Sequence, residues 1–218
     1  MKTAVLFSGG TDSGLSALLL EPFFDEIELV TFTFGHDLAW NVAERAAQEL
    51  GHPHRRLAFE ESVLDRAIEI LISTGYPNDA LDYVHSMAIE TLAREYEFVA
   101  DGTRRDDRAP KLSYSEIRSL EDRTHVHYLR PLAGLGGKTI RAMASRYLNF
   151  EEEPSANYPA SDFEVGLRYA LAERHGKREV DRIFPGDHTH TRVIRRKRFV
   201  QEIKGQENQT CQGIQSES

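Results

Sequence analysis

The chain has 218 residues, 40% of them hydrophobic and 28% charged, and its formal net charge is −8. This is the composition of a soluble globular protein, and it excludes collagen-like, low-complexity and wholly disordered chains. No segment approaches the roughly 20 consecutive apolar residues of a membrane-spanning helix, so we expect no association with a membrane.

Apolar runs and helical spacings alternate along the first two thirds of the chain. Runs of apolar and β-branched residues predict strands at 3–7, 27–34, 55–59, 98–100 and 127–130. Apolar side chains at helical spacing predict helices at 12–20, 38–50, 63–72, 81–92 and 138–147. We expect Asp37 to cap the second helix and Gly75 to end the third. This alternation predicts an α/β fold with a doubly wound, mostly parallel sheet of about five strands and helices on both faces.

A loop rich in serine and glycine, Ser8-Gly9-Gly10-Thr11-Asp12-Ser13, follows the first predicted strand. The glycines permit a tight turn, the hydroxyl groups can donate hydrogen bonds, and the next helix directs its positive N-terminus to the same place. Because ligands of doubly wound sheets bind beyond the carboxyl ends of the strands, we expect this loop to hold a phosphate. The alternative is a turn that binds no ligand.

The string Ser-Gly-Gly-x-Asp-Ser in this loop resembles the PP-loop signature of the N-type ATP pyrophosphatase superfamily, in particular its tRNA-modifying and queuosine-precursor synthase branch. The resemblance implies an adenine nucleotide alpha hydrolase-like fold. It also implies that the loop holds the β,γ-pyrophosphate of ATP and leaves the α-phosphorus open to attack. The implied ATP-binding residues are Ser8, Gly9, Gly10, Thr11, Asp12 and Ser13, with Asp12 catalytic and with adenine near Phe32 and Phe34.

The end of the fourth predicted strand carries a second part of the resemblance. Gly102 and Thr103 match a Gly-Thr pair that superfamily members often have there, which implies contact with ATP. Asp106 or Asp107 is expected to bind the Mg²⁺ that ATP brings. Guanidinium groups that can neutralise phosphate belong to Arg104, Arg105 and Arg108. The alternative is a charged surface loop whose ions pair with one another.

Arg130-Pro131-Leu132, after the fifth predicted strand, resembles tRNA-isoleucine lysidine synthetase and related tRNA enzymes. This implies that Lys138, at the start of the next helix, contacts pyrophosphate. Arg130 and Lys138 are therefore candidate catalytic residues beside Asp12, although Lys138 could equally be a plain surface lysine. His85 lies on an apolar helix face, and we interpret it as a hydrogen-bonded core histidine rather than a catalytic one.

The character of the sequence changes after Phe150. We predict a PP-loop nucleotide-binding domain over 1–150, a C-terminal helical and basic extension over 151–206 and a disordered tail over 207–218, with one more helix at 163–174. The segment 102–146 has a net charge of +5, and a second basic stretch covers 192–204. The predicted RNA contacts in that stretch are Arg195, Arg196 and Arg198. The alternative is a short amphipathic element that docks by its apolar residues and leaves its charges solvated.

The resemblance implies an ATP pyrophosphatase that uses ATP and Mg²⁺ to adenylate a substrate oxygen and releases pyrophosphate. The expected substrate is a base in tRNA or a nucleotide-like precursor, from which a nitrogen or sulfur nucleophile then displaces AMP. Two alternatives stay open. One is an amide-forming ligase that acts on a small carboxylate, and the other is an ATP-binding regulatory subunit without turnover.

The cysteine content bears on compartment and partners. Cys211 is the one cysteine, which excludes an intrachain disulfide and indicates a cytoplasmic protein. Since the chain has neither paired cysteines nor a recognisable glutaminase domain, we expect a partner protein to deliver sulfur or ammonia. We further expect tRNA as a partner and a homo-oligomer.

Overall fold

In the computed structural model, residues 1–35, 40–154, 162–184 and 189–197 are described. Their strands are β1 (Lys2–Leu6), β2 (Glu26–Thr33), β3 (His54–Ala58), β4 (Phe98–Ala100), β5 (His127–Leu129), β6 (Leu148–Pro154) and β7 (Thr189–Arg196). Their helices are α1 (Thr11–Leu20), α2 (Trp40–Leu50), α3 (Glu61–Thr74), α4 (Pro77–Leu92), α5 (Tyr114–Thr124), α6 (Gly137–Tyr147), α7 (Phe163–His175) and α8 (Lys177–Ile183), with a 3₁₀ turn at Glu21–Phe23.

The first five strands form one parallel sheet in the order β3-β2-β1-β4-β5. The predicted fold class is therefore confirmed. The central strands are apolar because helices cover both of their faces, and Ala4 and Val5 of β1 are fully buried. Gly75 ends α3 as expected, in the left-handed region at φ 66°. The predicted cap Asp37 lies outside the described residues.

Between β1 and β4 the strand order reverses direction, because the chain moves outward from β1 to β2 and β3, and then returns to the other side for β4 and β5. In doubly wound sheets a crevice opens at this point, beyond the carboxyl ends of the two strands. The loop after β1 and the loop after β4 meet there. The topology thus brings residues 8–13 next to residues 101–103.

A two-stranded antiparallel sheet of β6 and β7 lies where the sequence analysis predicted the start of the C-terminal extension and a basic stretch. Val193 of β7 is 3% exposed and packs in the same apolar cluster as Leu15 of α1 and Leu50 of α2. This small sheet is therefore anchored in the core beside the first helix. Residue 150, the predicted domain boundary, falls inside β6, and the division into domains stays a prediction.

The C-terminal helices also share the core of the rest of the chain. Leu167 and Leu171 of α7 pack in one cluster with Leu64 and Leu71 of α3. The sequence analysis missed α5, although Ser113 and Glu116 form a reciprocal capping box at its start. No helix of the described segments combines the length and the apolarity that a membrane span requires.

Candidate active site

A cleft of about 340 Å³ opens at the carboxyl ends of β1 and β4. Its floor and walls come from the loop after β1, the loop after β4, the helix α4 and the start of α7. The lining residues used below are Ser8, Asp12, Ser13, Phe32, His85, Asp101, Gly102, Thr103, Asp107, Asp162, Phe163 and His190. Predicted ATP-binding residues from both loops therefore meet in one cavity.

The loop after β1 forms a tight turn at the start of α1. Gly9 has φ 79°, and a Cβ there would lie 2.9 Å from the Cα of Ala43, so only glycine suits this position. The hydroxyl oxygens of Ser8 and Ser13 lie 3.3 Å apart. Within the described segments, the backbone N–H groups of Asp12 and Ser13 donate to no protein acceptor. Such amides at the start of α1 are available to an anion.

Strand β7 supports this loop from outside the cleft. The N–H of Thr11 donates to the hydroxyl of Thr191 at 3.1 Å. The N–H of Val193 donates to the carbonyl of Gly9 at 2.9 Å. The sequence analysis missed this contact because its two ends are far apart in the chain. The alternation of Thr189, Thr191 and Val193 is the signal that could have indicated a strand.

Gly102 brings the loop after β4 against the start of α1. A Cβ on Gly102 would lie 2.7 Å from the nitrogen of Ser13 and 2.8 Å from its Cα, which are backbone atoms that cannot move aside. We expected Gly102 to approach the ligand. The structure shows that its missing side chain also admits the neighbouring backbone, so this glycine joins the two loops that make the cleft.

A buried carboxylate forms the inner end of the cleft. Asp101 is 1% exposed, and its carboxylate lies 2.8 Å from the Nε2 atom of His85. It also accepts hydrogen bonds from the Tyr128 hydroxyl and from the N–H and hydroxyl of Thr103, the latter two at 3.0 and 2.8 Å. Burial alone would raise the pKa of Asp101, but these donors, His85 foremost, hold that pKa below its ordinary value.

His85 is the functional candidate that the sequence analysis set aside. It is buried and hydrogen-bonded, as expected of a core histidine, yet it also lines the cleft. Its Nε2 atom is engaged by Asp101, and Nδ1 has no hydrogen-bond partner among the described residues. A histidine held by a buried carboxylate at one nitrogen can accept or donate a proton at the other.

Three carboxylates surround one guanidinium at the mouth of the cleft. Arg104 lies 3.3 Å from Asp12, 3.3 Å from Asp106 and 2.7 Å from Asp107. Burial raises the pKa of Asp12, Arg104 lowers it, and the charges of Asp107 and Asp106 raise it further, so the net shift is upward. A bound divalent cation would reverse that shift.

The two predicted metal ligands stand in different places. Asp107 lines the cleft with Asp12, whereas Asp106 is half exposed and accepts from the N–H of Gly137 at 3.0 Å. In the described segments no three His, Cys, Asp or Glu side chains gather as a metal-binding group. Mg²⁺ that travels with ATP needs only one or two carboxylates beside the phosphate oxygens. Asp12 and Asp107 are the pair that fits this requirement.

The remaining predicted site residues divide into those inside and those outside the cleft. Phe32 lines the cleft and stacks on Phe59 with ring centroids 4.7 Å apart. Phe34 is 9% exposed and is packed in the core outside the cleft lining. Lys138 is exposed at the second residue of α6, and Arg130 donates to the carbonyl of Leu112 at 3.1 Å in a neighbouring groove. Neither cation lines the cleft.

The predicted RNA contacts of the C-terminal stretch have different environments. Arg196 binds both carboxylate oxygens of Glu21, at 2.5 and 2.8 Å, and the carbonyl of Leu50 at 3.2 Å. Arg195 is exposed, and Arg198 lies outside the described residues. At the cleft, by contrast, the sequence analysis missed a contact of 3.0 Å between the Nδ1 atom of His190 and the carboxylate of Asp162.

Comparison with known proteins places the chain in a family. Residues 1–195 match the model of a family of unknown function, DUF7411, and the chain belongs to that family. An uncharacterised protein of Methanocaldococcus jannaschii is 43% identical over 200 residues, which are 92% of this chain and 98% of that protein. A crystal structure from the same organism, described as a predicted subunit of tRNA methyltransferase, has a TM-score of 0.82 and 42% identity. The match covers 92% of this chain and 100% of the chain in that crystal structure.

A second relative matches over a shorter stretch. A 7-cyano-7-deazaguanine synthase of Staphylococcus aureus is 43% identical over 58 residues, which are 26% of each protein. This match is consistent with the resemblance of the loop after β1 to the PP-loop superfamily.

Proposed function

We propose that this member of the DUF7411 family is an ATP pyrophosphatase that adenylates a substrate oxygen and releases pyrophosphate. The observation that carries the proposal is the loop of residues 8–13, whose unpaired amides and paired serine hydroxyls face a cleft that also holds Asp12 and Asp107. Anion donors beside two carboxylates are what a metal-bound triphosphate requires.

The residues on the different sides of the cleft have different proposed roles. Ser8, Ser13 and the first amides of α1 would bind the pyrophosphate, and Phe32 would lie on the adenine side. Asp12 and Asp107 would hold Mg²⁺, which neutralises phosphate charge when bound. Arg104, 3.3 Å from Asp12, could then move from the carboxylates to the phosphates.

The reaction needs little covalent chemistry from the protein. The substrate oxygen attacks the α-phosphorus of ATP, the bond between the α-phosphorus and the α,β-bridging oxygen breaks, and pyrophosphate departs with the electron pair of that bond. A nucleophile of the N–H or S–H type then displaces AMP and must lose its proton. His85 would take that proton at Nδ1, because Asp101 fixes its Nε2 and stabilises the cation that forms.

The substrate we favour is a base in tRNA or a nucleotide-like precursor. Its support is the description of the Methanocaldococcus jannaschii structure, the local match to a deazaguanine synthase and the Arg130-Pro131-Leu132 resemblance. A partner protein would deliver sulfur or ammonia, since Cys211 is the one cysteine of the chain.

The test is a pyrophosphate-release assay with Mg²⁺ and α-labelled ATP. The purified chain is given unfractionated tRNA in one arm and a panel of small carboxylates in the other, each with ammonium or sulfide. We expect tRNA-dependent AMP and pyrophosphate and no ADP, with the Asp12→Asn variant inactive. Release with carboxylates alone would favour the amide-forming ligase. ATP binding without turnover in any arm would favour a regulatory subunit, and substrate-dependent ADP would overturn the chemistry.

A further inference from the structure

A second cavity, of about 490 Å³, lies beside the cleft and is called here the basic groove. It is formed by the loop 103–113, by Tyr114 and Glu116 of α5, and by Arg130 and Ala133 after β5. Thr103 lines both the basic groove and the cleft, so the two cavities adjoin. A ligand in the basic groove therefore ends next to the proposed ATP site.

The basic groove concentrates positive charge in an acidic protein. Its lining includes five cationic side chains against one carboxylate, Glu116, which is occupied by the N–H and hydroxyl of Ser113 at 2.7 and 2.6 Å. The cations are Arg104, Arg105, Arg108, Lys111 and Arg130. Of these, only Arg104 forms an ion pair with a carboxylate among the described residues. The other four cations thus have no carboxylate partner among the described residues, in a chain whose net charge is −8. Lys111 donates to the carbonyl of Arg105 at 3.0 Å, and Arg130 to that of Leu112 at 3.1 Å.

An aromatic ring stands open at the edge of the basic groove. Tyr114 is 85% exposed, which makes it the most exposed large hydrophobic side chain in the part of the chain that the structure describes. The guanidinium of Arg130 lies over its ring, 5.5 Å from the centroid, and Arg130 is itself anchored to the carbonyl of Leu112. One face of the ring is therefore supported by a fixed cation, and the side chain is otherwise open to a flat partner.

We propose that the basic groove binds a single-stranded segment of RNA and directs one nucleotide past Thr103 into the cleft. Arg105, Arg108 and Lys111 are exposed and bind consecutive phosphates, while one base stacks on Tyr114. Cations along a groove with an aromatic platform at its edge are the combination that single-stranded nucleic acids recognise. A small carboxylate would use neither the length of the groove nor the ring.

This inference rests on the proposed function, because it states where the RNA substrate of that reaction binds. Binding itself needs no turnover and no ATP. It also places the RNA contact away from Arg196, whose guanidinium is already engaged by Glu21. The two proposals can therefore fail separately.

The first test measures RNA binding by fluorescence anisotropy of labelled single-stranded oligonucleotides and of unfractionated tRNA over a series of KCl concentrations. The groove variant is Arg105→Gln/Arg108→Gln/Lys111→Gln. The control variant, Arg66→Gln/Arg94→Gln/Arg178→Gln, removes the same charge from exposed residues outside the groove. Each phosphate contact to a single strand adds about 0.7 to the slope of log K against log salt, so the groove variant should lose about 2 from that slope. The control should keep the parent slope. Equal slopes in the two variants would overturn the inference.

The second test separates stacking from charge. Tyr114→Ala should weaken oligonucleotide binding about tenfold without changing the salt slope, and Tyr114→Phe should bind as the parent does. A poly-glutamate peptide is the competitor of a different class. If poly-glutamate displaces RNA from the groove and Tyr114→Ala binds as the parent does, the groove is a general polyanion surface and the proposal is wrong.

Calorimetry with ATP and Mg²⁺ on the same variants keeps the two proposals apart. ATP binding should be unchanged in all of them, because none of the substituted residues lines the cleft. Arg105 and Arg108, which the sequence analysis expected to neutralise phosphate, line the basic groove and not the cleft. If ATP binds and RNA does not, the groove inference fails alone. If RNA binds through the groove while no pyrophosphate is released with any RNA, the proposed function fails and the RNA site stands.

Discussion

The hydroxyl of Thr191 accepts a hydrogen bond from the backbone N–H of Thr11 across 180 positions of the chain. The two residues belong to the last described strand and to the loop after the first. The neighbouring bond from Val193 to Gly9 repeats the connection. The loop proposed to hold the pyrophosphate of ATP is therefore shaped by both ends of the described chain.

Replacement of Thr191 by valine tests this support. Valine keeps the size of threonine but cannot accept the bond, which leaves the N–H of buried Thr11 unpaired at a cost of about 1–3 kcal/mol. We expect a lower free energy of unfolding in urea and weaker ATP binding by calorimetry. Thr189→Val, at an exposed position of the same strand, is the control and should change neither. Equal behaviour of the two variants would show that the contact does not shape the loop.

Replacement of Gly102 by alanine tests the join between the two loops of the cleft. The new methyl group would meet the backbone of Ser13 at 2.7 Å, so the loops must separate, at a cost of about 1–3 kcal/mol. We expect a lower melting temperature and weaker binding of ATP. Gly134→Ala is the matched control, since a Cβ there has no neighbour within 4 Å. A Gly102→Ala variant with the melting temperature of the parent would contradict the close approach.

Asp12→Asn and Ser8→Ala test the proposed ATP site directly. Loss of a hydrogen bond or a metal contact to a charged ligand costs about 1.5–3 kcal/mol, so each variant should bind ATP about tenfold or more weakly. Only the Asp12 variant should lose the part of the affinity that Mg²⁺ contributes, because Ser8 carries no charge. Calorimetry with and without Mg²⁺ measures both effects. Asp25→Asn, at an exposed carboxylate outside the cleft, is the control. Parent-like affinity in both folded site variants would remove residues 8–13 from the ATP site.

Asp101 should make stability depend on pH in the acid range. Its pKa in the folded chain is lowered, against about 3.9 when unfolded, so its ionisation stabilises the fold above that value. That contribution is lost as the pH falls through the folded pKa. Asp101→Asn should cost about 1–3 kcal/mol at neutral pH, because Tyr128 and Thr103 lose a charged hydrogen-bond acceptor, and should reduce the loss of stability in acid.

Urea unfolding at a series of pH values measures this effect. His85→Gln serves as the second variant, since it keeps Asp101 but removes the histidine beside it. The pKa of Asp101 should then rise, so the free energy of unfolding should begin to fall at a higher pH. If the free energy of unfolding falls with pH in the same way in the parent and both variants, other carboxylates govern acid unfolding.

Local patterns accounted for the parallel sheet and for residues 8–13. Apolar runs define strands because both faces of a parallel sheet are buried, and the Ser-Gly-Gly-x-Asp-Ser string carries its own turn chemistry. His85 was underrated because its significance depends on Asp101, which only the fold brings within 2.8 Å. Lys138 was expected near pyrophosphate, but α6 leaves it exposed and outside the cleft.

The two-stranded sheet of β6 and β7 was missed for a related reason. Its two strands are separated by a helical pair, and its charged residues obscure the alternation of a strand. The pairing of Phe150 with Val193 cannot be read from a local window of sequence.

The contact between Thr191 and Thr11 also orders events during synthesis. The loop after β1 is synthesised well before the strand that supports its outer side, because Thr191 follows Thr11 by 180 positions in the chain. A contact of such long sequence separation forms only after the intervening chain has been made and closed into a loop. A nascent chain that lacks β7 should carry an immature nucleotide loop, so ATP capture would begin only once residue 193 has emerged. Chains truncated before β7 would then bind no ATP, rather than bind it with reduced affinity.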